Sequence, residues 1–209
     1  MRLLVSRIFR HEILVHRPVQ FVVIRNSHKV PPVQVGWEKP ESGWIKLNFD
    51  GSCKCKSGRS SIGGVFRDHN AEFLLGYSEF IGKSNSTIAE IIALRRGLEL
   101  VLENGWGDNS VWLEGDSKSL VDIIGKRKQL VNRCGEVQKH VTHINSIISE
   151  LNNQCILTHV FREGNRAADK FAQMGYHFKN PQVWRHVPPN ELLRIVHEDA
   201  EGKTFLRRR

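Results

Sequence analysis

The sequence predicts a single-domain α/β fold: a five-stranded mixed sheet, a three-strand antiparallel meander plus parallel strands, with helices on both faces in the order βββαβααβα. Three observations predict it. Ile45, Leu47 and Phe49 alternate with Lys46 and Asn48, the period-two signature of a half-buried strand. Ile88, Ile91, Leu94, Leu98 and Val101 fall at helical spacing. Beyond Ser110, strand-like and helix-like stretches alternate, which calls for parallel crossovers.

The elements follow in order. The first strand begins near Gly43 and places Asp50 at or near its end, and Gly51 to Ser61 reads as a turn. Ile62 to Arg67 and Glu72 to Phe80 are the next strands, joined through Asp68-His69-Asn70. A helix from about Thr87 to Asn104 stops at Gly105 and carries Glu90 in its first turn, with Ala93 and Gly97 leaving that face lean enough to pack on a sheet. Ser110 to Gly115 is a strand, followed by Asp116 and a helix marked by Leu120, Val121 and Ile124. A helix from Gly135 to Leu151, a strand from Cys155 to Phe161, a turn at Gly164-Asn165 and a helix from Arg166 to Tyr176 complete the set.

At 209 residues and 40% hydrophobic, the chain suits one core with tails. Residues 1–36 read as a weakly structured basic leader, residues 37–178 as the domain, and residues 179–209 as a basic C-terminal extension. The net charge of +9 sits on the flanks: residues 37–178 hold 18 basic and 17 acidic side chains. Basic flanks hold a polyanion non-specifically, or are ordinary solvated termini. The apolar stretch from Val19 to Ile24 is too short to span a bilayer, so no membrane association is expected. Cys53, Cys55, Cys134 and Cys155 lack zinc-ligand spacing, and free thiols in an intracellular compartment, nuclear or cytoplasmic, are expected. Arg2, Arg7 and Arg10 before the first acid carry a weak signal for organellar import.

Asp50, Glu90, Asp116 and Asp169 are separated by 40, 26 and 53 residues, so only a tertiary fold could gather them. Each has a plain structural explanation. Asp50-Gly51 is a common turn dipeptide, Thr87 to Glu90 matches a capping box, Asp116 could cap a helix, and Asp169 could complement a helix dipole. These explanations leave unexplained why all four fall at strand ends or helix starts, where one sheet edge could collect them around hard divalent cations.

The motifs Gly43-Trp44-Ile45-Lys46-Leu47-Asn48-Phe49-Asp50-Gly51-Ser52, Gly63-Gly64-Val65-Phe66-Arg67-Asp68, Ala89-Glu90 with Ala93-Leu94 and Gly97-Leu98, Glu114-Gly115-Asp116-Ser117 and Arg162-Glu163-Gly164-Asn165-Arg166-Ala167-Ala168-Asp169 carry a resemblance. From Trp37 to about Phe178 the chain resembles the ribonuclease H superfamily, most closely the type 1 domains of plant proteins related to retroelement reverse-transcriptase polyproteins. The segment from Pro188 to Asp199 looks like the extension that often follows those plant domains.

The resemblance implies a ribonuclease H-like fold in which Asp50, Glu90, Asp116 and Asp169 are catalytic and bind two Mg²⁺ or Mn²⁺ ions. It also implies a monomer that hydrolyses the RNA strand of RNA/DNA hybrids. Ser52, Asn165 and Arg162 become substrate-contact candidates, with a helix N-cap as the other reading of Asn165. Better-known members carry a His in the loop before the last Asp. Here His159 lies in a strand by its alternation with Leu157 and Phe161, so Arg162 is the other candidate for that place. Lys126, Arg127 and Lys128 sit where some relatives insert a basic helix; they contact the DNA strand's phosphates or form a solvated connection. Two other functions remain open: a non-catalytic nucleic-acid-binding module derived from a retroelement, and a 3′→5′ exonuclease or transposase-like nuclease, against which the meander and the Arg162 to Asp169 motif argue.

Overall fold

The computed structural model of the protein describes residues 19–22, 33–54, 56–125 and 135–207. Lys126, Arg127 and Lys128, with the substrate contact expected of them, and most of the expected leader lie outside the described residues. In chain order the strands and helices are β1 (Val19–Val22), β2 (Val33–Gly36), β3 (Trp44–Lys54), β4 (Arg59–Arg67), β5 (Phe73–Lys83), α1 (Ser86–Glu103), β6 (Ser110–Gly115), α2 (Lys118–Gly125), α3 (Gly135–Glu150), β7 (Cys155–His159), α4 (Arg166–Met174), β8 (Gln182–Arg185), α5 (Asn190–Ala200) and β9 (Thr204–Arg207).

Seven strands form one sheet in the order β1-β7-β6-β3-β4-β5-β8. The five strands read from the sequence are its centre: β3, β4 and β5 form the antiparallel meander, and β6 and β7 lie parallel to β3. Two four-residue edge strands extend it, β1 parallel to β7 and β8 antiparallel to β5. They are too short for alternation to announce them. β2 and β9 pair separately as an antiparallel ribbon, so Val33–Gly36, inside the leader expected to be weakly structured, is a strand.

Helices cover both faces. Ile45, Leu47 and Phe49 of β3 join Ile91, Leu94 and Leu98 of α1, Leu120 of α2 and Ile144 of α3 in the larger core cluster. On the opposite face Val65 and Phe73 pack with Ala167 and Phe171 of α4 and Leu192 of α5. No helix among the described residues is long and apolar enough to cross a membrane.

Two local expectations need correcting. The Gly51 to Ser61 stretch is mostly strand: Gly51 pairs Ile62, Ser52 pairs Ser61 and Cys53 pairs Ser60, and among the described residues only 56–58 turn. Residues of low strand propensity are held there by the ladder itself, since such propensity yields to tertiary pairing. Lys46 and Asn48 are not a solvated face either, because both are fully buried. Trp37, Trp112 and Arg67 cover them, and charge partners make the burial tolerable. Lys46 Nζ lies 2.7 Å from Glu114 Oε2, Asn48 donates to Glu114, and Trp37 and Arg67 both donate to Asn48 Oδ1. Arg67 in turn pairs with Asp199 of α5 at 2.8 Å, with about 1% of each side chain exposed.

Candidate active site

The parallel pairing of β3 with β6 ends at Phe49 opposite Gly115. The next residue on each strand is an aspartate, so Asp50 and Asp116 come together at the carboxyl ends of the parallel strands, a common place for ligand sites in such sheets. Asp50 is therefore not at the end of its own strand, as expected; β3 continues beside β4 alone to Lys54. Asp50 is where the sheet opens.

Glu90 reaches this point because α1 lies directly on Gly51. A Cβ at Gly51 would sit 2.3 Å from Ala89 C and Glu90 N, closer than any side chain permits. The capping explanation of Glu90 does not hold: Asn85 is the N-cap, its Oδ1 accepting from Ile88 N at 2.9 Å, and Glu90 is the fifth helical residue rather than one of the first turn. The capping role at α2 likewise falls to Ser117, whose Oγ accepts from Leu120 N, and Asp116 is left for other work.

Oxygens of Asp50, Glu90 and Asp116 all lie within 4.8 Å of one another. Asp169 is not part of that tight group. It stands exposed at the start of α4 and accepts from Gln173 at 2.8 Å, yet it lines the same cleft of about 630 Å³, and its charge acts on Asp50. α4 is pressed onto the sheet beside Asp50: Gly63, the β4 partner of Asp50, has no room for a Cβ, which would lie 2.2 Å from Ala172 N. Ser61 and Ser78 hydroxyls donate to the Ala172 and Phe171 carbonyls at 2.5 and 2.6 Å and fix the helix there.

Burial first, then the charges of Asp116 and Asp169, push the Asp50 carboxyl up to about 8. Burial, then Asp50 and Asp116, raises Glu90 well above the usual carboxylate range, against the pull of the Gly51 amide and Arg162. Desolvated like charges disfavour ionisation unless a cation joins them. Glu90 Oε2 is buried without a hydrogen-bond partner, the donors are all oxygen, and Mg²⁺ or Mn²⁺ fits this set by charge and hardness.

A pH dependence follows. Asp50 binds more protons folded than unfolded between its ordinary value of 3.8 and about 8, so its contribution to metal-free stability falls as pH rises through that window. In a chelator the unfolding free energy should decline between pH 6.5 and 8 by no more than about 1.4 kcal/mol per pH unit for one proton, and the melting temperature with it. Mg²⁺ should reverse the slope, because it binds the deprotonated carboxylates. A scan in which Asp50→Asn keeps the full metal-free slope would show that Asp50 is not its source.

Of the proposed substrate contacts, Ser52 lines the cleft and accepts from Tyr176 at 3.1 Å. Arg162 also lines it, with its side chain 89% exposed and Nε 3.2 Å from Asp116 Oδ2. Asn165 is a correction. It is 1% exposed and donates to the Phe49 carbonyl at 3.0 Å, while its side chain makes no capping bond. Asn165 therefore fixes the backbone next to Asp50 instead of meeting a substrate. His159 is the last residue of β7, with Nε2 3.1 Å from the Asp116 carbonyl, so it is held in the strand and is not on a loop. Arg166, Glu163 and Gln173 line the cleft without having been singled out. Gln173 was findable as the residue four beyond Asp169 on one helix face.

Gly51→Ala should force α1 away from β3. The expected cost is about 1–3 kcal/mol for overpacking, together with weaker Mn²⁺ binding than the parent, read by thermal unfolding and titration calorimetry.

An acidic cluster at the open end of a mixed sheet, with helices on both faces, defines a ribonuclease H-like domain. Residues 48–175 match the family described as Reverse transcriptase-like, and the chain belongs to that family, within the ribonuclease H superfamily. It is 29% identical over 174 residues to an Arabidopsis thaliana protein assigned by name to ribonuclease H; the match covers 83% of this chain and 27% of that relative's length. Among solved structures, RNase H1 of Halobacterium salinarum aligns with TM-score 0.55 at 21% identity, over 65% of this chain and 98% of the other. The LC11 RNase H1, isolated from compost, aligns with TM-score 0.54 at 25% identity over 62% of this chain and 94% of the other in a structure holding an RNA/DNA hybrid.

Proposed function

We propose that this chain is a metal-dependent endoribonuclease that hydrolyses the RNA strand of RNA/DNA hybrids. The observation that carries the reading is the meeting of Asp50, Glu90 and Asp116 oxygens within 4.8 Å in a cleft that Asp169 also lines. The likeness to an RNase H1 solved with a hybrid supports the substrate class.

Asp50, Glu90 and Asp116 would hold one divalent cation, and Asp50 with Asp169 a second. Two Mg²⁺ or Mn²⁺ ions bound there would supply an acidified water and neutralise charge at the scissile phosphate. The chain's own residues do the rest. Asn165 holds the Phe49–Asp50 backbone in place. Arg162, largely in solvent, can leave Asp116 for a phosphate oxygen, to which a planar guanidinium is well matched. Glu90, at the wall of the cleft, is placed to meet a ribose 2′-hydroxyl, the group that separates RNA from DNA. Ser52 stands by for a phosphate contact.

One feature favours binding without hydrolysis: Asp169 stands outside the tight group while Arg162 pairs with Asp116. The test is incubation of the protein with end-labelled RNA/DNA hybrid, double-stranded RNA and double-stranded DNA, in Mg²⁺ and in Mn²⁺. Metal-dependent internal cuts confined to the RNA of the hybrid are expected. Retention of the hybrid on the protein with no cuts in either metal would establish the binding module.

A further inference from the structure

The segment Asn190–Arg207, which the cleft itself does not include, grips the link between β7 and α4 from both ends. Glu198 and Asp199 of α5 each accept from the Arg166 guanidinium at 2.7 Å, and Phe205 of β9 lies 4.6 Å beneath that guanidinium. Lys203 and Arg194 also reach Glu198, and with Arg166 they pull its carboxyl down to about 2. At the other end, Arg207 of β9 pairs with Glu163 at 2.9 Å and sits 4.3 Å over the Phe161 ring. The β2–β9 ribbon closes against the same link: a Cβ at Gly164 would lie 2.8 Å from the Gly36 carbonyl oxygen. Residues 161, 163, 164 and 166 are thus each touched by the ribbon or by α5. Asp169 lies one helical turn beyond Arg166.

We propose that Asn190–Arg207 is a positioning brace for Asp169, with Glu198, Asp199 and Arg207 acting through Arg166 and Glu163. The inference rests on the metal-binding reading of the site. The physical reason is that Asp169 is exposed and, among the described residues, has Gln173 alone as a hydrogen-bonding side-chain partner, so its position depends on where α4 begins. That beginning is set on the sheet side by Asn165 and on the solvent side by the C-terminal ion pairs. The same carboxylates keep the Arg166 cation, a lining residue of the cleft, engaged away from the acidic cluster. Partners that orient a metal ligand from outside its coordination sphere typically control affinity by about tenfold or more.

The experiment uses the full chain with Arg207→Glu, with the exchanged pair Glu163→Arg plus Arg207→Glu, and with Glu198→Gln. Two quantities are read: the Mn²⁺ dissociation constant by calorimetry, and hydrogen exchange of the amides in the first turn of α4 relative to those of β3 and β4. Arg207→Glu and Glu198→Gln should each weaken Mn²⁺ binding by about tenfold and lower protection in the first turn of α4 while β3 and β4 keep theirs. The exchanged pair should restore the protection, which is the quantity compared for it because residue 163 itself lines the cleft. Unchanged Mn²⁺ affinity and unchanged α4 protection in the single variants overturn the brace, as does a loss of protection that the exchanged pair fails to recover. Hydrolysis by the unaltered protein is scored separately, and the exchange readout stands whether or not the hybrid is cut.

Discussion

Asp50→Asn is expected to reduce hybrid hydrolysis by about 10³-fold or more, since several kilocalories of transition-state stabilisation depend on the ions it would help to hold. The same change should raise the melting temperature of the metal-free protein. Asp50 is 6% exposed, and its carboxyl is held up at about 8 by burial and by two neighbouring aspartates. A neutral amide of the same shape removes that repulsion. Loss of function with a gain of stability is the mark of a strained site, and a merely structural aspartate would show the reverse. Turnover is read as initial cleavage rate at saturating Mg²⁺, and stability by thermal unfolding in chelator. A variant that cuts at the parental rate would remove Asp50 from the chemistry, and with it the assignment of this cleft as the site of hydrolysis.

Much of the site was legible in the chain because it depends on local patterns. The alternation through Phe49 fixes the face of Asp50, and the spacing from Ile88 to Val101 fixes the helix that carries Glu90. What the patterns could not supply was the third dimension. Thr87 to Glu90 has the letters of a capping box, but the helix starts at Ser86 with Asn85 as its cap, and Asn is as strongly preferred at that place as Ser or Thr. Asn165 has the look of a substrate contact, and only the close approach of α4 to β3 shows that it is buried against Phe49. Alternation marks Lys46 and Asn48 as polar positions; it does not say whether water or another part of the chain covers them. Here the cover comes from Trp37 and from Arg67, which is itself held by Asp199, 132 residues further along the chain. An acidic pair in an apparently solvated tail, Glu198-Asp199, was the available signal.

Asp199→Ala is expected to destabilise the protein by about 3–5 kcal/mol, the usual result of deleting one partner of a buried ion pair. Arg67 is fully enclosed, and desolvation already works against its charged form; Asp199 is the first of the charges that oppose this. Removing the carboxylate leaves a buried guanidinium with Asn48 Oδ1 as a neutral acceptor. It also frees one arm of Arg166 at the start of α4. For a chain of this size each kcal/mol corresponds to about 2–4 °C of melting temperature, so a fall of roughly 6–20 °C should be seen in differential scanning calorimetry. The double change Arg67→Met with Asp199→Leu should cost much less, because an apolar pair of similar volume removes both desolvated charges at once. If the single change costs under about 1 kcal/mol, the pair is open to water and the C-terminal helix is not anchored through it. The double variant then separates two roles of Asp199: it retains the packing of α5 on the sheet but lacks the bond to Arg166, so any deficit it shows in Mn²⁺ affinity belongs to the placement of α4 and not to the stability of the core.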